Sequence, residues 1–201
     1  MKSLLAKDIV SRSTMVLLAA LLLPAIADAH PIKGVGDFYA GMLHPLTALD
    51  FLLPWIALAL FAGQQGKKGA LLVLSIFPVA ILLGAVLALA FRQPAWLSTA
   101  NLAIIPLLGL SVALAFSYPA SLIVVFSAAV GLLQGLANGA EITSAISPWR
   151  FIPGLAGVSI LIIAYGIGIV RSLQKPWTRV AVRVAGSWIA AIGIMICAFK
   201  F

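Results

Sequence analysis

The chain has few charged residues: only 9% of its 201 residues are Asp, Glu, Lys or Arg, whereas 63% are hydrophobic. Soluble domains carry about a quarter charged residues, so this composition excludes an ordinary soluble globular protein. It also excludes a disordered chain, because disorder requires low hydrophobicity. The composition therefore predicts an all-α polytopic membrane protein, a helical bundle in contact with the lipid bilayer.

Acidic residues are rarer still, with five Asp and Glu against 13 Lys and Arg and a formal net charge of +8. The basic residues are scattered, and no patch interleaves them with aromatic side chains as nucleic-acid-binding surfaces do. We therefore predict no nucleic-acid partner. In a membrane protein the same lysines and arginines determine topology, because they concentrate in cytoplasmic loops.

Features that indicate catalysis are absent from the sequence. The single cysteine, Cys197, excludes an internal disulfide and is predicted to be a buried structural thiol. There is no nucleotide-binding glycine loop, nucleophile elbow, paired-cysteine site or HExxH motif. An enzyme is therefore the least favoured class, and no prosthetic group is predicted.

Residues 1–29 have the pattern of a secretory signal peptide. Lys2, Lys7 and Arg12 form a basic start, a short apolar core follows over residues 15–23, and Ala27-Asp28-Ala29 supplies small residues for a signal peptidase. The sequence predicts cleavage after Ala29, which leaves residues 30–201 as a single six-helix transmembrane domain. A retained first helix is the alternative, and it would place the N-terminus in the cytoplasm.

Cleavage would make His30 the first residue of the mature chain. An N-terminal histidine offers an α-amine and an imidazole, which together can bind copper or nickel. The alternative is a terminal side chain that simply faces solvent.

Six apolar runs follow, each long enough to cross a bilayer. They are Asp37–Ala62, Ala70–Phe91, Trp96–Phe116, Ala120–Ala140, Phe151–Val170 and Val180–Phe199.

The distribution of basic residues predicts the orientation. With the mature N-terminus outside, six basic residues lie on the inner side and four on the outer side, in accordance with the positive-inside rule. The inner set is Lys67, Lys68, Arg171, Lys175, Arg179 and Arg183, and the outer set is Lys33, Arg92, Arg150 and Lys200. The predicted location is a bacterial-type inner membrane, with the mature N-terminus on the periplasmic side.

Ionisable residues inside a membrane are costly, so each one indicates a functional site by default. The first predicted span contains Asp37, His44 and Asp50. Asp37, His44 and Phe51 are seven residues apart and would share one face of a continuous helix. Pro45 predicts a kink or the true start of the helix, which would bring Asp50 to the same cavity as His44. Pro54 predicts a second opening of the backbone.

A second polar cluster ends the fourth predicted span. Gln134, Asn138 and Glu141 lie at i, i+4 and i+7 and form one polar stripe. A neighbouring stripe of small residues, Gly131, Gly135 and Gly139, permits the close approach of another helix. The sequence predicts that span four packs against span one with the polar stripes facing each other. Alternatively, the amides are plain interhelical hydrogen-bonding groups, and for Glu141 both interpretations stand.

The two clusters resemble the motifs of the HupE/UreJ family. His44-Pro-Leu-Thr-Ala-Leu-Asp50-Phe51 is similar to its pattern His-Pro-x-x-Gly-x-Asp-His. Gly131 to Glu141 is similar to its pattern His-Gly-x-x-His-Gly-x-Glu. The resemblance covers essentially the whole mature chain and implies a secondary permease for nickel or cobalt.

The resemblance also implies metal-handling roles for His44, Asp50 and Glu141. Phe51, Gln134 and Asn138 stand where the family has histidines, and an imidazole-poor site suits harder ions. The full set of candidate metal ligands is His44, Asp50, Glu141, Asn138, Gln134, His30 and Asp37.

Three functions remain open. The first is a secondary transporter of a divalent cation, nickel- or cobalt-like but possibly altered in substrate, with its site between spans one and four. The second is a non-transporting accessory or assembly subunit of a membrane metalloenzyme complex, with Gly131, Gly135 and Gly139 as a partner or homo-oligomer face. The third is a channel or carrier for a small neutral solute that binds the amides of Gln134 and Asn138.

Overall fold

The computed structural model describes residues 36–91 and 94–200, and every regular element in these ranges is a helix. The predicted signal peptide, His30, Lys33 and Arg92 lie outside the described residues. The helices are α1 (Asp37–Thr47), α2 (Leu49–Gln64), α3 (Gly66–Ala90), α4 (Trp96–Leu114), α5 (Ala120–Ala140), α6 (Pro148–Ser172) and α7 (Pro176–Lys200).

Helices α3 to α7 are each long and apolar enough to cross a membrane, and α1 and α2 together make one further, bent candidate. The described part of the chain thus has five to six candidate spans, which confirms the prediction of a polytopic helical bundle. The bounds of α5 match the predicted fourth span, and those of the other helices differ by a few residues.

The first predicted span is broken, because α1 and α2 meet at an angle of 81°. Ala48 between them is extended, with φ −121° and ψ 124°, and the Thr47 hydroxyl donates to the His44 carbonyl at 2.9 Å. Asp37, His44 and Phe51 would share a face only on a continuous helix, and the bend lies close to the kink that Pro45 predicts in this span.

The two prolines of this span lie inside helices and not at the break. Pro45 belongs to the last turn of α1, three residues before Ala48. Pro54 lies in α2, which runs unbroken from Leu49 to Gln64. The predicted second opening at Pro54 is thus wrong as a break in the helix, because the loss of one backbone hydrogen bond there does not interrupt α2.

The main partner of α5 is α3, and not span one as predicted. A Cβ on Gly135 would lie against the Ile81 carbonyl oxygen and 2.9 Å from the Ala85 nitrogen, and Gly84 meets the backbone of α5 in the same way. Because glycines at the contact let the two backbones approach, the small-residue stripe does bring a helix close. That helix belongs to the same chain, so the prediction of this stripe as a partner or oligomer face is wrong.

Helix α1 packs against α6 through a second pair of glycines. A Cβ on Gly41 would collide with the Phe151 carbonyl oxygen, and one on Gly154 with that of Phe38. The Asp37 carboxylate accepts a hydrogen bond from the Ser147 backbone N–H at 3.3 Å, next to the first turn of α6. The start of α1 is thus joined to the start of α6.

The alternating directions of α3 to α7 place charged residues at two ends of the bundle. The end that carries Lys67, Lys68, Arg171, Lys175, Arg179 and Arg183 is called the basic end below. The opposite end, with Asp50, Glu141, Arg150 and Lys200, is called the cavity end. Trp96, Trp149 and Trp177 lie exposed at helix starts, where tryptophans anchor spans in the membrane interface.

Candidate functional site

A cavity of about 300 Å³ opens at the cavity end of the bundle. It lies among the first turn of α2, the start of α4, the last turns of α5 and the end of α7. The polar side chains that line it are Asp50, Ser98, Asn101, Glu141 and Lys200. Two of the three predicted acidic site residues therefore share one cavity, although α2 and α5 make few direct contacts.

Helix ends place the two carboxylates. Asp50 is the second residue of α2 and so lies beside the partial positive charge of a helix N-terminus, which stabilises a carboxylate. Glu141 caps the C-terminus of α5, where the backbone carbonyls carry partial negative charge. Near Glu141, the cavity therefore meets both the carboxylate charge and the negative ends of the α5 carbonyl dipoles. Both favour a bound cation.

His44 lies next to the cavity and does not line it. Its ring packs against Phe51 and Phe151, with centroid separations of 5.3 and 5.8 Å. Phe51 lines the cavity, so it stands between His44 and the two carboxylates. Glu141 and Asp50 are still close enough to act on His44 electrostatically. The Nε2 atom of His44 is buried and has no hydrogen-bond partner among the described residues.

Gln134 and Asn138 are fully buried away from the cavity. Gln134 accepts a hydrogen bond from Trp55 Nε1 at 2.8 Å and donates to Asn101 Oδ1 at 2.6 Å. Asn138 donates to the Gln134 backbone carbonyl at 2.8 Å, while its Oδ1 has no partner among the described residues. Gln134 thus links α2, α4 and α5, the geometry of an interhelical hydrogen-bonding group.

The remaining candidate within the described residues, Asp37, is bonded at the α1–α6 contact and does not line the cavity. No three His, Cys, Asp or Glu side chains within residues 36–91 and 94–200 converge as a ready-made metal site. The structure therefore brings Asp50 and Glu141 together, with His44 beside them.

Sequence reasoning missed Trp55, Asn101 and Lys200. A buried amide such as Asn101 in an otherwise apolar span is costly, and that cost was the available signal. Trp55 and Lys200 gave no comparable signal, because tryptophans and terminal lysines are common in membrane helices.

Comparison with known proteins agrees with these motifs and this fold. The sequence profile described as HupE / UreJ protein matches residues 18–196. Among curated proteins, Protein HupE from Rhizobium leguminosarum bv. viciae is 28% identical over 176 residues, which is 88% of this chain and 92% of that protein. No solved structure matches. Members of the family are not known enzymes. The chain is thus a membrane protein that belongs to the HupE/UreJ family, which is generally associated with nickel and cobalt transport.

Proposed function

We propose that this protein is a secondary transporter of a divalent metal cation, and that the ion passes through the cavity lined by Asp50 and Glu141. The observation that carries the proposal is the placement of two carboxylates from helices far apart in sequence at one cavity, at the end of a bundle of membrane-spanning helices. Ionisable residues within spans mark ion pathways because they are otherwise costly to bury.

Charge supports a cation as the transported species. The described cavity lining carries two carboxylates and one ammonium group, from Lys200, so its formal charge is −1. The α5 carbonyls beside Glu141 add negative potential, and the N-terminus of α2 beside Asp50 adds positive potential that the Asp50 carboxylate offsets. A broken helix with an acid next to the break is also the arrangement by which many transporters build ion sites.

Among the residues that the structure describes, His44 supplies the one imidazole near the cavity. An imidazole nitrogen suits nickel, cobalt and similar ions better than hard ions. The Nε2 atom of His44 has no partner among the described residues and is available to a ligand. A change in the Phe51 rotamer would open a path between His44 and the cavity.

The ion would keep much of its water. Because no three ligating side chains converge in the described residues, the protein offers two or three ligands and water completes the coordination. Such partial coordination suits a transported ion, which has to leave as readily as it binds.

Nickel uptake tests the proposal. In cells or proteoliposomes containing the full chain, Asp50→Asn and Glu141→Gln should each reduce initial uptake of Ni²⁺ by about tenfold or more, a change of about 1.4 kcal/mol in binding. Asp37→Asn is the matched control, since Asp37 is an acid of the same broken span that does not line the cavity. Unchanged uptake in Asp50→Asn would contradict the proposal.

One observation favours the second candidate, a non-transporting accessory or assembly subunit of a membrane complex. The amides of Gln134 and Asn138 bond within the bundle, and no three-ligand metal cluster is present in the described ranges. This candidate predicts a stoichiometric partner on mild-detergent purification together with no Ni²⁺ flux in proteoliposomes. Asp50-dependent flux would exclude it.

A further inference from the structure

Three buried side chains form a hydrogen-bonded row that runs from the core to the cavity. Trp55 and Gln134 are 0% exposed, and Asn101 is 4% exposed. Trp55 Nε1 donates to Gln134 Oε1 at 2.8 Å, and Gln134 Nε2 donates to Asn101 Oδ1 at 2.6 Å. Asn101 is the member of the row that lines the cavity.

The indole fixes the direction of the whole row. An indole nitrogen carries one hydrogen and accepts none, so Trp55 can only donate. Gln134 must then turn its oxygen to Trp55 and its NH₂ group to Asn101, and Asn101 must receive that group with its own oxygen. The Asn101 Oδ1 atom is therefore engaged by Gln134, and the Asn101 amide nitrogen is bonded to none of the residues that the structure describes.

We propose that this row makes Asn101 a specificity-determining residue of the cation cavity, because it presents N–H groups there and withholds an oxygen. The proposal rests on the cation transport proposed above. An N–H group carries partial positive charge, so it cannot ligate a cation and it can donate to the carboxylates of Asp50 and Glu141.

The consequence is one side-chain oxygen fewer in the cavity. Gln134 and Asn138 do not line it, which leaves the two carboxylates and the Ser98 hydroxyl as its described side-chain oxygens. Hard cations such as Mg²⁺ and Mn²⁺ prefer sites built from oxygen, whereas nickel and cobalt accept imidazole nitrogen. Compared with an oxygen at position 101, the N–H groups of Asn101 therefore weaken the binding of hard divalent cations more than that of Ni²⁺.

Asn101→Asp is the first test. An aspartate at this position keeps an oxygen for Gln134 Nε2 and replaces the cavity-facing NH₂ group with a second oxygen. Mn²⁺ and Ni²⁺ binding to the purified full-length protein should be measured by titration calorimetry. The ratio of the Mn²⁺ Kd to the Ni²⁺ Kd should fall about tenfold in this variant. That change corresponds to about 1.4 kcal/mol in the binding free energy of Mn²⁺ relative to Ni²⁺.

Trp55→Phe tests the row itself, since Trp55 does not line the cavity. Without the indole N–H, Gln134 and Asn101 are free to turn over, so the Kd ratio should shift in the same direction by a smaller factor. In the double variant Trp55→Phe/Asn101→Asp the ratio should equal that of Asn101→Asp, because the aspartate has no NH₂ group left to orient. Phe77→Leu is the matched control, as Phe77 packs on the Trp55 ring at 5.6 Å and makes no such bond.

The outcomes separate this proposal from the proposed function. Three outcomes would each overturn the role of the row. The Kd ratio could be unchanged in Asn101→Asp, the shifts of the two single variants could add fully in the double variant, or Trp55→Phe and Phe77→Leu could shift the ratio equally. If Asn101→Asp does not fold, an unchanged ratio in Trp55→Phe overturns it. Asp50-dependent Ni²⁺ binding without flux would overturn transport alone, and no Ni²⁺ binding by the wild type would overturn both.

Discussion

At the residue scale, Phe51 separates the only described histidine from the cavity. Its ring contacts His44 on one side and lines the cavity with Asp50 and Glu141 on the other. A phenyl ring offers no ligand atom to a cation. The identity of residue 51 therefore determines whether an imidazole borders the cavity directly.

Phe51→His should place an imidazole at the cavity wall and lower the KM for Ni²⁺ uptake by about tenfold, since nickel binds imidazole well. Phe51→Leu removes the ring without adding a ligand and is the control. A similar fall in KM in both variants would mean that substitution merely opens the cavity.

The sequence singled out the two acids of the candidate site, and it offered interhelical hydrogen bonding as one interpretation of the amides without identifying their partners. Asp50 and Glu141 stood out because charge is rare in this chain and costly in a span. Gln134 and Asn138 share a helical stripe with Glu141, yet helical periodicity does not state which partner a stripe meets. Their burial depends on Trp55 and Asn101, which lie on other helices.

At the scale of the element, the contact between α3 and α5 depends on glycines that face each other's backbone. Backbone atoms cannot rotate away as a side chain can, so an added methyl group must separate the helices.

Gly135→Ala should therefore destabilise the protein by about 1–3 kcal/mol, the usual cost of overpacking. Thermal unfolding of the detergent-purified protein measures the effect as a lower Tm. Gly157→Ala in α6 is the control, because nothing lies within 4 Å of its added Cβ, and its Tm should stay the same or rise. Equal losses in the two variants would show that helix separation is not the cause.

Helix bounds followed from the length of the apolar runs, but helix partners did not. The glycine stripe of α5 predicted a close neighbour and gave no information about which helix it was. The break at Ala48 likewise lies three residues beyond Pro45, so the proline indicated a break in this span but not its position.

At the scale of the whole molecule, charge divides the bundle into two ends. Six basic residues lie at the basic end. At the cavity end, the basic residues that the structure describes are Arg150 and Lys200. From the positive-inside rule we predict that the basic end lies in the cytoplasm and that the cavity opens on the outer side.

Labelling with a membrane-impermeant maleimide tests this orientation. In a Cys197→Ser background, Ser144→Cys in the exposed α5–α6 loop should react in intact spheroplasts. Lys68→Cys at the basic end should react only after the membrane is opened. Reaction of Lys68→Cys in intact spheroplasts, with none at Ser144→Cys, would contradict the orientation.

The docking of α1 on α6 has a consequence for biogenesis. With 11 residues, α1 is about 16 Å long, too short to cross a bilayer by itself. The Asp37–Ser147 bond joins residues 110 apart in sequence. A ribosome must therefore synthesise five more helices before α1 meets its partner, and we expect the cavity end to be completed late, after α2 to α5 have already been inserted.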